Sequence, residues 1–554
     1  MHCFSLLAGI SGLFSPDSLL SESKTAYING KIYTVDKNKS IAEAVITAGN
    51  RIIFTGSTAE AKKITDSKTK IIDLHGKLML PGFIDNHVHF RTGGNNLPGI
   101  KLRHAKSLNE FRTIIKDYSL KHPGVWITDG EWDQESWNPN RLPVKEDIDD
   151  ITPNQPVFVT RFDQHIGLAN SAALKLAGIT KDTPSPDGGL IEMDPVTGEP
   201  TGIIIDNAIP LITKFIPEDS EEKLYQKALL ALQEAARLGL TSVQDISVIK
   251  DFRVYQKLEK DNKLTCRIYS RPRIFEYKEA IKLSKEPHSD KLKIGSVKAF
   301  ADGSLGAMSA WFYEPYTQDP TTCGLPNELL SNGKLKEWSL EADRNGLQLS
   351  IHAIGDRANA AILDMFSEIK KTNPEWDRRF RIEHVQHIKA EDIKRCAELG
   401  VIASVQPYHQ IEDGVWAEKR VGPERIKEMY TFKSFIDAGI KVCFGSDWVV
   451  APLNPLTGIY AAVTRRTLDG KNPDGWLPEQ KISVEQAIEC YTINNAWASF
   501  DENIKGSIEP GKLADMVILE EDILTIDPER IKDVKVYMTI MDGTAVYTKT
   551  GNGD

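Results

Sequence analysis

Two histidines one residue apart close the run Pro81-Gly82-Phe83-Ile84-Asp85-Asn86-His87-Val88-His89. In a strand, the two-residue period carries both imidazoles to one face at its C-terminal end, where they form half of a site for zinc, iron, manganese or nickel. Ligand-type residues recur at the ends of later apolar runs. They are Lys298 in Val297-Lys298-Ala299-Phe300, His352 after Leu349-Ser350-Ile351, His384 after Arg381-Ile382-Glu383, and Asp447 after Phe444-Gly445-Ser446. Singly, each also suits a bland role: a satisfied core histidine, a lysine stem lying along apolar surface, a Gly-Ser-Asp turn. Jointly and in order, they point to one metal pocket.

The elements that must hold such a pocket are eight strand-like runs at 82–89, 240–246, 265–271, 292–301, 347–353, 379–384, 400–405 and 441–446, most followed by a helical pattern. Eight parallel strands with intervening helices make an α/β fold, a TIM-type (β/α)8 barrel whose strand C-termini converge on the active site. The helical pattern at 221–238, with Leu224, Ala228, Leu229, Leu232 and Ala236 on one face and Gly239 as its stop, is the connecting type. Residues 24–80 alternate short β-rich runs with turns, and the same texture returns over 501–554, so the two ends are expected to form one composite β-sandwich around a hydrolase barrel at 81–500. The interval at about 90–216, rich in Trp, Pro, Gly and Asp, reads as a β-rich insertion after strand 1, placed to cover the site.

The chain has 554 residues, a formal charge of −10 and no block of Lys or Arg, which argues against nucleic acid or an anionic membrane as partner and for a small molecule. Nothing in the sequence decides for or against a homo-oligomer. The six cysteines show no Cys-x-x-Cys pair and read as core thiols. Residues 1–23 read as a leader or a disordered terminus. The apolar run at 4–14 is short like a signal segment but lacks a basic residue before Lys24, so cytoplasm is the expected compartment, with export the alternative if that run belongs to a signal peptide.

The stretches LPGFIDNHVH, DQHIGLANSAAL, VKAFADGSLG, IHAIGDRAN, RIEHVQHI, SVQPYH, FGSDW and GSIEPGKLADMVIL together resemble the amidohydrolase superfamily, specifically amidohydrolase family 3, the YtcJ-like group that includes N-substituted formamide deformylase. The resemblance spans about residues 25–548. It implies a metal-dependent hydrolase and carries metal-ligand roles onto His87, His89, Lys298, His352, His384 and Asp447. Two stretches depart from the group's pattern: Ala307-Met308-Ser309 stands where members read Ser-Arg-Thr, and Val449 where they have Pro, which places the difference near the substrate.

A lysine serves a metal only after losing its charge. Desolvation in a strand depresses its pKa, and the neutral amine adds carbon dioxide to give an anionic carbamate, so Lys298 is expected as an N6-carboxylated bridge between two divalent ions, zinc by preference. His87 and His89 would hold one ion, His352 and His384 the other. A structural Lys298 paired with Asp302, beside a single ion, is the alternative.

The expected activity is hydrolysis of a non-peptide C–N bond, an N-acyl or N-formyl amide, by a metal-bound hydroxide, with Asp447 as general base and then acid. His165 is a candidate oxyanion donor from the insertion. Trp132, Asp302 and His409 are candidates to line the substrate pocket, and His387 for a supporting role. No Gly-x-Ser-x-Gly elbow occurs. A deaminase or cyclic-amide hydrolase is the rival reading on the same scaffold, and a non-catalytic regulator the rival from another class.

Overall fold

The computed structural model describes residues 23–103 and 105–549. The N-terminal apolar run falls outside them. No helix among the described residues is long and apolar enough to cross a membrane.

Eight parallel strands carry the central α/β region: β1 (Phe83–Val88), β2 (Leu240–Ser247), β3 (Arg267–Pro272), β4 (Ser296–Phe300), β5 (Gln348–Ala353), β6 (Arg381–His384), β7 (Ile402–Val405) and β8 (Val442–Phe444). They lie in two sheets. One runs β1-β2-β3 and then a short strand, Leu292–Ile294; the other runs β4-β5-β6-β7-β8. Isolated parallel bridges, Arg273 to Lys298 and Val88 to Trp448, connect the sheets at both edges.

The run at 292–301 is therefore two strands. Its first part pairs with β3 and its second with β5, and the break falls at Gly295. A Cβ on Gly295 would stand 2.4 Å from the Tyr269 ring, so only glycine lets the chain pass from one sheet to the other at that point.

Helices cover the strands as their sequence patterns dictate. Helix Glu221–Arg237 is capped by Ser220 and buries Leu224, Ala228, Ala231, Leu232, Ala235 and Ala236 on one face. The strands are buried on both faces, yet their interior side is polar at the level of Asn86, Gln244, Arg271, Ser350, Arg381, Glu383 and Ser404. Arg271 Nη1 donates to Glu383 Oε1 at 2.7 Å, and Arg271 Nη2 to the backbone oxygens of Asn86 and Gln244 at 3.1 and 2.9 Å. Arg381 Nη2 reaches the backbone and side-chain oxygens of Asn86, both at 2.8 Å. Two buried guanidiniums are tolerable because nearly every donor meets an acceptor and one carboxylate stands between them.

Both ends of the chain share a six-stranded sheet in the order Thr544–Thr548, Val536–Met541, Met516–Leu519, Leu78–Pro81, Lys31–Tyr33, Ile41–Ala42. A second, four-stranded sheet from residues 24–73 packs near it over a core that includes Tyr27, Ile32, Val45, Met79, Met516, Ile518 and Ile540. Leu78–Pro81 lies immediately before β1, so this sheet directly anchors the strand that carries the first two histidines.

Between β1 and β2 a five-stranded sheet runs in the order Gly189–Met193, Pro200–Asp206, Ile166–Ala169, Val157–Arg161, Ile127–Trp132. Trp132 belongs to its core, which corrects the expectation that it lines a substrate pocket. The side chain is fully buried among Phe111, Trp137 and Val159, and its Nε1 donates to Val159 O at 3.0 Å. An apolar ring with its single donor satisfied packs best inside this sheet.

Candidate metal centre

The strand ends converge on a cavity of about 530 Å³ lined by His87, His89, His165, Lys298, Asp302, His352, His384, His409 and Asp447. The ends of β1 and β8 are tied together there: Asp447 N donates to His87 O, and His89 N to Trp448 O, both at 2.7 Å. Asp447 adopts φ 56° and His384 φ 73°, left-handed conformations that non-glycine residues rarely hold and that aim both side chains inward.

His87, His384 and Asp447 bring one donor atom each within 4.8 Å of one another, all three buried. The His87 Nδ1–H donates to Glu383 Oε2, which leaves the lone pair of a neutral imidazole on Nε2. That Nε2 lies 3.2 Å from Asp447 Oδ1, and His89 Nε2 lies at the same distance from the same oxygen. Among the described residues, neither His87 Nε2 nor Asp447 Oδ1 has a hydrogen-bond partner. A lone pair facing a carboxylate oxygen in a buried site is unfavourable unless a cation stands between them, so the donor set fits a divalent ion. Nitrogen and oxygen donors of this kind suit zinc and its first-row neighbours.

Burial favours the ligand-competent, neutral state of the histidines. Desolvation holds His384 well below the ordinary histidine range and pushes His89 down to about 4, so both imidazoles are neutral near pH 7. For Asp447, desolvation raises the pKa, but His87, His89 and His384 outweigh it and hold the carboxyl well below its usual range.

The other residues singled out in the sequence surround this trio. The His352 ring lies 4.6 Å from that of His384, and its Nε2 contacts Gly303 O at 3.1 Å and Asp302 Oδ1 at 3.3 Å. Lys298 is buried, with Nζ 3.9 Å from the centre of the Phe300 ring, and burial reinforced by Arg273 pushes its pKa down to about 7. It is not paired with Asp302, whose oxygens accept from the backbone N–H groups of Trp311, Ile354 and Gly355 at 2.8, 3.0 and 2.8 Å. His409 stacks on His384 at 6.2 Å and carries its Nε2 to 4.0 Å from Asp447 Oδ2, with no hydrogen-bond partner there. His387 lies outside the cavity lining, its ring set edge-on to Phe312.

His165 enters from the insertion, with Nδ1 2.5 Å from Asp206 Oδ1. Burial alone would lower its pKa, but the charges and hydrogen bonding of Asp206, helped by Asp163 and Asp302, hold it up at about 9. The divergent residues 307–309 stand behind the cavity wall, which is formed instead by Gly303, Ser304, Leu305 and Gly306.

Two groups of the site were missed from sequence. Glu383, next to His384, orients His87; its signal was a carboxylate inside an apolar strand. Arg273 lines the cavity from the exit of β3, where a charged residue at a strand end was the available sign.

A family model described as the amidohydrolase family matches residues 70–547. This chain is an amidohydrolase-family protein. Among curated relatives, the protein LONG AFTER FAR-RED 3 of Arabidopsis thaliana is 38% identical over 94% of this chain and 91% of its own. The N-substituted formamide deformylase of Arthrobacter pascens is 27% identical over 95% of this chain and 98% of its own. An uncharacterized metal-dependent hydrolase from Pyrococcus horikoshii OT3, known from its crystal structure, is 30% identical with a TM-score of 0.75, covering 92% of this chain and 99% of the other. The metal-dependent hydrolase fold and the histidine–aspartate cluster thus occur together in this amidohydrolase.

Proposed function

We propose that this amidohydrolase cleaves the non-peptide C–N bond of a small N-acyl or N-formyl amide, in a site at the C-terminal ends of a closed (β/α)8 barrel. The observation that carries the reading is the partnerless pair of His87 Nε2 and Asp447 Oδ1, 3.2 Å apart in a buried cavity. The activity for which the deformylase relative is named supports the choice of bond. Barrel closure is supported by the bridges at both sheet edges.

His87, His89, His384 and Asp447 would hold a first divalent ion, zinc by preference. His352 and an N6-carboxylated Lys298 would complete a second position. A bound metal would supply Lewis acidity toward the carbonyl and would lower the pKa of water. The chain's own groups do the rest. Asp447 Oδ2 stands 3.9 Å from His384 Nδ1 and 4.0 Å from His409 Nε2, outside hydrogen-bond distance, and is the atom open to accept a proton and return it to the leaving nitrogen. The His165 imidazolium, fixed through Nδ1 by Asp206, presents its other N–H to the developing oxyanion. The insertion that carries His165 also lines the cavity through Phe162, Asp163 and Asp206.

The direct test is amine release from a panel of N-formyl and N-acetyl amines by zinc-loaded protein. Turnover that disappears with chelation and returns with metal supports the assignment. Deamination of amino-heterocycles or opening of cyclic amides, without release of amine from the panel, would contradict it.

A further inference from the structure

Arg273 is a charged group of the cavity that the reaction above leaves unused. It follows β3 at the same end as the ligand residues, and its backbone bridges to Lys298. Its guanidinium lies 4.7 Å from the centre of the Phe300 ring, the same ring that Lys298 Nζ approaches at 3.9 Å and the His352 ring at 5.1 Å. Arg273 therefore sits beside the reacting centre.

Among the described residues its side chain makes no hydrogen bond and no ion pair; the carboxylates whose field reaches it, Asp447, Asp245, Asp251 and Glu276, stand beyond ion-pair distance, and its guanidinium lies over the Phe300 ring. Arg161, also in the cavity wall, is different: its Nη1 donates to Asp163 at 2.6 Å. Three further carboxylates of the cavity are likewise engaged, Asp206 by His165, Glu412 by Arg103 and Asp413 by Tyr430. A guanidinium carries five N–H donors in a planar fork matched to a carboxylate, and leaving them unmet in a half-buried wall is costly. Beyond Arg273 the wall turns apolar and opens to solvent, with Phe275 62% and Leu325 46% exposed at the mouth.

We propose that Arg273 binds a carboxylate of the substrate, so that the preferred substrates are acylated amines carrying an acidic group close to the amide and an apolar remainder at the cavity mouth. This rests on the proposed amide hydrolysis and narrows its substrate class.

The test compares N-formylleucine with N-formylisopentylamine, which differ only in the carboxylate, on zinc-loaded full-length protein. The wild type is expected to prefer the acid. Arg273→Gln should lower the acid-to-neutral ratio of kcat/KM by roughly 30- to 1,000-fold, the usual consequence of losing one partner of a desolvated charged pair, chiefly through KM. Arg273→Lys should recover part of the ratio, since it restores the charge without the fork. Equal losses on both compounds would assign Arg273 to the metal centre, and a wild-type preference for the neutral compound would remove the carboxylate; either overturns the proposal. Calorimetric binding of N-formylleucine to the same proteins separates this failure from failure of the amidase reading, because binding needs no turnover. Weaker binding by Arg273→Gln supports the proposal, and equal binding, or none by the wild type, overturns it.

Discussion

Replacing Glu383 by Gln tests how the interior network prepares the metal site. Glu383 is fully buried; Oε1 accepts from Arg271 Nη1 at 2.7 Å and Ser350 Oγ at 2.6 Å and faces Arg381 Nε at 3.1 Å, while Oε2 accepts from His87 Nδ1 and, at 2.5 Å, from Ser404 Oγ. Glutamine keeps the shape and one oxygen. If that oxygen stays on the arginines, the new NH2 meets the His87 Nδ1–H, donor against donor, and His87 must rotate or move its proton to Nε2, where it blocks the lone pair. Loss of a partner that orients a ligand histidine lowers metal affinity about 10- to 100-fold, or roughly 1.4–2.7 kcal/mol. If the amide turns the other way, it faces two guanidiniums with donors. In either orientation two buried cations lose their only nearby charge, a loss of about 3–5 kcal/mol in the metal-free protein. Competition with a chelator of known affinity measures the first effect and urea unfolding of metal-free protein the second. Metal affinity within twofold of wild type, together with an unchanged unfolding midpoint, would refute the orienting role of Glu383.

Asp447→Asn should keep substrate binding while kcat falls by roughly two to four orders of magnitude, and near-normal kcat in steady-state assays would move the proton-transfer role to another group. His165→Asn should cost kcat about 10²- to 10³-fold if it donates to the oxyanion, and an unchanged rate on every substrate would leave it structural. The His165 pKa is raised from 6.5 to about 9 in the fold, so its ion pair with Asp206 contributes stability that is full below pH 6.5 and is lost as pH rises through about 9; wild type should lose activity across that interval and His165→Asn should lack this limb in a pH–rate profile. Lys298, held down near 7, is mostly neutral above that pH, so bicarbonate should activate the protein increasingly above pH 7, and Lys298→Ala should be inactive but partly rescued by short carboxylic acids; failure of both in metal-loaded protein would exclude the carbamate.

Much of the site could be read from sequence because strand-end chemistry is local. A histidine at the end of an apolar run signals its position whatever the run packs against, which is why His87, His89, His352, His384 and Asp447 could be placed together. What depended on partners distant in sequence could not be read. The break at Gly295 follows from the Tyr269 ring of the neighbouring strand, and the run itself shows only an uninterrupted β pattern. Trp132 looked like a pocket aromatic because tryptophan suits both a ligand wall and a core; its partner, Val159 O, decided for the core. Glu383 and Arg273 gain their meaning only from what surrounds them, one ringed by donors and the other without a hydrogen-bond acceptor among the described residues.

The central claim is that His87, His384 and Asp447 form a metal centre. It is tested most directly by the metal content of wild-type protein and of His87→Ala after equilibration with zinc and removal of the excess. The wild type should retain at least one ion per chain, and His87→Ala should lose that ion while its circular dichroism stays unchanged. Retention of full zinc by folded His87→Ala, or no zinc on the wild type, would contradict the account.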